Sequence, residues 1–164
     1  MHSRRKRYGF TIVELMIVVA ILAILVGIVL VAYPGITNKA RDNAVGIDIT
    51  KVAEAANAFY TSNGRYPTSS AELNSLTTKK MSRANYDTTG NAVLYCATPT
   101  TGASMAIIAK SKSGNSYSIK DEEQVQPYSS TFPTTASTVC TNAGISSATS
   151  FWIHDTTNGW MTNF

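Results

Sequence analysis

"YGFTIVELMIVVAILAILVGIVLVAY", from Tyr8 to Tyr33, holds a single carboxylate, Glu14, followed by nineteen uncharged residues from Leu15 to Tyr33. At about 1.5 Å per helical residue that run covers roughly 28 Å, close to the hydrocarbon thickness of a bilayer. Arg4, Arg5, Lys6 and Arg7 precede it, a bias that keeps the N-terminal end cytoplasmic and sends the rest across. A removable secretory signal has a shorter apolar core and a small-x-small cleavage site; here Tyr33-Pro34-Gly35 follows a long core. The segment therefore reads as a retained span. A plain anchor leaves Glu14 unexplained, because an ionised group at a bilayer centre costs about 2.5 to 3.5 kcal/mol. Near the helix end the cost is smaller, yet a functional acid there calls for a cationic partner. The nearest would be a new amino terminus, made by a cut between Gly9 and Phe10.

Lys6-Arg7-Tyr8-Gly9 followed by "FTIVEL" resembles the type III signal of type IV prepilins and the related type II secretion pseudopilins. The resemblance implies that a membrane peptidase cuts after Gly9 and methylates the new terminus at Phe10. It also makes Glu14 the family's acidic residue, paired with the terminal amine of a neighbouring subunit in a filament core. Glycine at the scissile bond gives a protease close approach to the backbone. Methylation leaves the amine basic, so its charge survives. Glu14 then acts as a registry device, since removing one partner of a buried pair costs roughly 3 to 5 kcal/mol.

Charge elsewhere is balanced. Four of the 14 basic residues lie in the leader; without residues 1–9 the chain has ten basic and ten acidic groups. The overall +4 is thus no footprint for nucleic acid. Cys96 and Cys140 both follow the span. In an exported domain an even pair reads as one disulfide, the alternative being two separate buried thiols.

Past the span, Val45, Ile49, Val52, Ala56 and Phe59 recur at helical spacing, with Asn43, Thr50, Glu54 and Asn57 roughly opposite and Ile47 an apolar exception. Pro34 is expected to bend or locally break this helix, and Asn63-Gly64 to stop it. In some relatives the stretch corresponding to Gly27–Pro34 melts on assembly. Ser69 and Glu72 read as a capping box for a short helix through about Leu76. Strand-like runs follow at 92–98, 104–110 and 117–120, the last two flanking a hairpin turn, "SKSGNS".

The expected organisation is a cleaved leader (1–9), a membrane and filament-core helix (10–33), its amphipathic continuation (34–62) and a globular head (63–164). The fold class is α+β: a long N-terminal helix whose second half packs on an antiparallel sheet of three or four strands. No catalytic residue, cofactor or metal site is expected. His154 is the only histidine after the leader, and "WIHDTTNGW" reads as an edge strand entering a turn at Asn158-Gly159. Asp121, Glu122 and Glu123, like Asp155 and Asn158, lack calcium-loop spacing. Lys79, Lys80 and Arg83, with Tyr86 nearby, make too small a basic patch for direct nucleic-acid binding.

The resemblance implies a structural subunit of a type IV pilus, a homo-oligomeric helical filament at the cell surface. Its other partners would be the peptidase, the assembly machinery and, before assembly, the cytoplasmic membrane. Two alternatives stand beside it. One is a type II secretion pseudopilin; the other is an anchored binding domain that never polymerises and keeps residues 1–9.

Overall fold

The computed structural model describes residues 9–76, 80–130, 132 and 135–164; the leader positions 1–8 and Lys79 lie outside them. Contacts divide the chain into two units, one up to Thr37 and the other Asn38–Phe164. Helix α1, Ile12–Asn63, contributes to both.

In the first unit α1 stays helical through Pro34, so the local break that proline invites does not occur. Proline removes one amide from the ladder. One turn on, the Thr37 hydroxyl donates to the Tyr33 carbonyl at 2.5 Å. Every described residue from Gly9 to Ile36 is exposed. Among the described residues, α1 alone is long and apolar enough to cross a membrane.

In the second unit α1 buries Val45, Ile49, Val52, Ala53 and Ala56, the face that the apolar spacing marks, together with one acid, Asp48. Phe59 is only half-buried. The helix ends at Asn63; Gly64, at φ +71°, donates its N–H back to the Tyr60 carbonyl. A left-handed residue there closes the last turn, and glycine adopts it without a Cβ penalty.

Helix α2, Ser70–Ser75, starts at Ser69, whose hydroxyl accepts the Glu72 N–H at 3.2 Å. Glu72 reaches one residue further back than a capping box expects and accepts from the Thr68 N–H. The same carboxylate takes both terminal nitrogens of Arg65, at 3.1 and 2.5 Å. The guanidinium, with the Thr68 amide, holds the Glu72 carboxyl down to about 2. This connector meets the 98–104 turn through the Tyr66 N–H, which donates to the Gly102 carbonyl at 2.8 Å. Gly102 sits at φ +54°, and a Cβ on it would come within 2.6 Å of the Tyr66 carbonyl oxygen. A Gly102→Ala chain is therefore expected to lose about 2 kcal/mol in denaturant unfolding of the micelle-held protein.

The sheet has six antiparallel strands rather than three or four: β1 Val93–Ala97, β2 Met105–Lys110, β3 Ser116–Lys120, β4 Gln126–Pro127, β5 Thr149–Asp155 and β6 Gly159–Trp160. They are ordered β4-β3-β2-β1-β5-β6. The β2–β3 hairpin pairs Lys110 with Ser116 across the expected turn. Strand β5 is internal, not an edge: it lies between β1 and β6 because the chain reverses at Asn158-Gly159 and pairs Trp160 with His154.

Both faces of the sheet are covered. Val93, Tyr95, Ala97, Met105, Ile107 and Ala109 share a core with α1, Leu73 and Phe164. Leu94, Cys96, Ala106 and Ile108 share another with Val139, Cys140 and Ile145, carried by and just after helix α3, Ala136–Asn142. A Cys96–Cys140 disulfide, Cα to Cα 5.7 Å, ties α3 to the central strand β1.

Candidate functional site

The residues that carry the sequence argument lie at the start of α1. Phe10 is 90% exposed, and a Cβ added at Gly9 would meet nothing within 4 Å. Thr11 is the residue before the helix, and Glu14 stands three positions on. The Thr11 N–H and hydroxyl both donate to Glu14 Oε2 at 2.8 Å, while the Glu14 N–H donates to the Thr11 hydroxyl oxygen at 3.2 Å. That is a reciprocal capping box, T-x-x-E, which satisfies amides that a helix start otherwise leaves open. Its spacing is visible in the sequence, although a distant partner for Glu14 is the more obvious expectation there. Both donors are neutral groups, and among the described residues no hydrogen bond falls on Oε1. Glu14 is thus positioned locally, with one oxygen open to a cation.

In the head, the residues weighed for other chemistry are engaged in structure. Arg83 donates through Nε to the Phe164 carbonyl at 3.1 Å, bonds it again through Nη2, and lies 5.4 Å over the Trp160 ring. Tyr86 is buried and donates to Asp48 Oδ2 at 3.2 Å. Of these two, Arg83 stays exposed but is engaged with the tail, and Tyr86 is buried. Asp155 Oδ1 accepts the Thr157 and Asn158 N–H groups at 2.7 and 2.6 Å, and Asp121 Oδ1 accepts the Met105 N–H at 2.7 Å. Asp155 closes its turn, and Asp121 ties the end of β3 to the start of β2.

Asp48 is the residue sequence reasoning missed. It is 4% exposed, accepts the Ser82 N–H at 2.6 Å besides Tyr86, and has Lys51 at 3.7 Å. Its signal was a lone acid among Val45, Ile49 and Val52. Asp42, earlier on the same helix, has a similar role and holds Ser113 and Asn115 of the β2–β3 turn. Between these anchors, Ile47 lines an open groove of about 640 Å³ with Gly46, Tyr117 and Val125.

Residues 4–30 match the prokaryotic N-terminal methylation motif, and residues 33–100 match type II secretion system protein G. Over these two stretches the chain is similar to type IV pilins and their pseudopilin relatives. Type II secretion system core protein G of Vibrio cholerae is 37% identical to it over 79 residues, 48% of this chain and 54% of that protein. The counterparts of Klebsiella michiganensis and Aeromonas hydrophila are 36% and 34% identical over 76 and 77 residues. The chain spans about half the length of the relatives it matches. Its protein G match ends at residue 100, just after β1; strands β2–β6 and α3 follow it.

Proposed function

We propose that the chain is a structural subunit of a type II secretion pseudopilus, rather than of the surface pilus that the sequence first favours. The single observation that carries this is the protein G match over residues 33–100, beyond the N-terminal features that pilins and pseudopilins share. In this reading a prepilin peptidase removes residues 1–9 and Phe10 becomes the methylated terminus. The apolar portion of α1 anchors the subunit in the membrane, then packs in a polymer core, with the head outside the cytoplasm. The work done is mechanical: polymer growth moves exported proteins, and no residue of the chain acts as a catalyst.

The capping box gives Glu14 its role. Thr11, the residue after Phe10, holds one carboxylate oxygen of Glu14, and in this reading the other oxygen takes the amine of the next copy. A Glu14→Ala chain is expected to be cut, anchored and oxidised normally but to enter polymer at least roughly hundredfold less, because the neighbour's amine is left buried without its partner. Cross-linking of membranes in cells that make only the variant reads this directly. A normal ladder of cross-linked copies would remove Glu14 from assembly.

The reading as a whole is tested by deleting the gene. Loss of exported proteins from the medium, with surface pili unchanged, is the expected result. Loss of surface pili with secretion intact would restore the pilus reading. A chain recovered only at full length, uncut and never cross-linked to itself, would leave an anchored binding domain.

A further inference from the structure

His154 is 5% exposed, and its Nδ1 is the buried side-chain polar atom without a hydrogen-bond partner among the described residues. A buried polar group left unpaired is costly, so a native one calls for a reason. Its ring lies 4.8 Å from the Trp160 ring, its cross-strand neighbour on β6. Trp160 is a meeting point: the Tyr86 ring stands edge-on to it at 5.2 Å, and Arg83 covers it while holding the Phe164 carbonyl. Beyond Trp160, the Met161 N–H donates to the Ile153 carbonyl, and the Asn163 N–H donates to Asn74 at 3.1 Å. The stack therefore joins β5, β6, the turn at Arg83–Asn85 and the last residues of the chain.

The charges around the imidazole are few. Arg83 faces it from the turn, and Asp155 follows it on β5 with its Oδ1 already engaged by Thr157 and Asn158. Tyr86, bonded to Asp48 of α1, is a neutral phenol. The residue paired with His154 on β1 is Val93, and Met161 and Phe164 of the tail are apolar. A proton on His154 would thus enter an apolar site with a guanidinium across the indole and one occupied carboxylate beside it.

We propose that His154 is a proton-sensitive latch: neutral, it holds β6 and residues 161–164 on β5; protonated, it releases them. Burial, helped by Arg83 and opposed by Asp155, keeps the imidazole below its ordinary 6.5 in the closed form. The released form binds the proton more readily. The closed form is therefore fully favoured above about pH 6.5 and loses ground as pH falls below it, by up to about tenfold per pH unit until the closed-form value is reached. Release would uncover backbone groups on the outer edge of β5, a surface able to pair with another strand.

Hydrogen exchange of the full chain in micelles, corrected for intrinsic rates, tests this at pH 7.5 and 5.0. Protection of residues 156–164 is expected to fall roughly tenfold at the lower pH, while β1 and β2 amides keep theirs. In a His154→Phe chain, 156–164 should stay protected at both values. An unchanged wild type, or the same loss in His154→Phe, overturns the latch. If that variant does not fold, an NMR titration of the wild type decides: His154 and the Trp160 indole N–H should shift together below pH 6.5. Titration of His154 with the indole signal unmoved would overturn it as well.

Discussion

A Gly9→Val chain is expected to accumulate at its full-length mass, with cleavage between residues 9 and 10 slowed roughly hundredfold, the scale of a small misplacement of a scissile bond. The structure separates this effect from folding. A Cβ at Gly9 meets nothing, and the Thr11–Glu14 box lies beyond the substituted residue, so α1 starts as before. What changes is the surface offered to the peptidase, where a β-branched side chain stands next to the bond that must enter its site. The Cys96–Cys140 bond should still form, because in the proposed function the head is exported whether or not the leader is cut. Intact-mass measurement on membranes reads both at once: a leader-bearing chain, lighter by two hydrogens. Wild-type amounts of a chain beginning at methylated Phe10 would show that glycine is not what the protease reads.

The start of α1 was legible because its chemistry is written in adjacent residues. A basic run, a glycine and one acid before a long apolar stretch admit few readings. The amphipathic half was legible for a similar reason, since Val45, Ile49, Val52 and Ala56 repeat at the helical period. Asp48 was hidden by that same rule: a carboxylate on a buried face belongs there only because Ser82 and Tyr86, more than thirty residues on, supply its donors. The second layer was also missed, although β1 and β2 carried its signal. "VLYCA" and "MAIIA" are continuous apolar runs without alternation, the mark of strands covered on both faces. Helix α3 could not be read from "ASTVCTN", where β-branched residues and threonine favour no helix. Strand β6 is two residues long and exists through its turn and the Trp160 stack. Such pieces are fixed by what they touch.

Removing the disulfide, as Cys96→Ala with Cys140→Ala, is expected to cost about 4 kcal/mol, the chain-entropy value for a separation of 44 residues. Cys96 and Cys140 are both fully buried, so the loss includes packing as well as the cross-link. The cost should fall unevenly. Cys96 lies on β1, held on both sides by β2 and β5, whereas Cys140 lies on a seven-residue helix. A helix that short does not persist alone in water, and Thr135 gives it no side-chain cap. Without the bond, α3 depends on Val139 and Ile145 against Leu94 and Ile108, enough to hold it some of the time but not to resist denaturant. Urea unfolding of the micelle-held chain should therefore lose its single transition: the α3 face opens first, the α1 face later. A reductant should reproduce this in the wild type and change nothing in the double variant. If the double variant unfolded in one step within about 1 kcal/mol of the parent, the apolar contacts of α3 would be sufficient by themselves. The disulfide would then serve the chain before folding, by limiting where residues 97–139 can go, rather than after it.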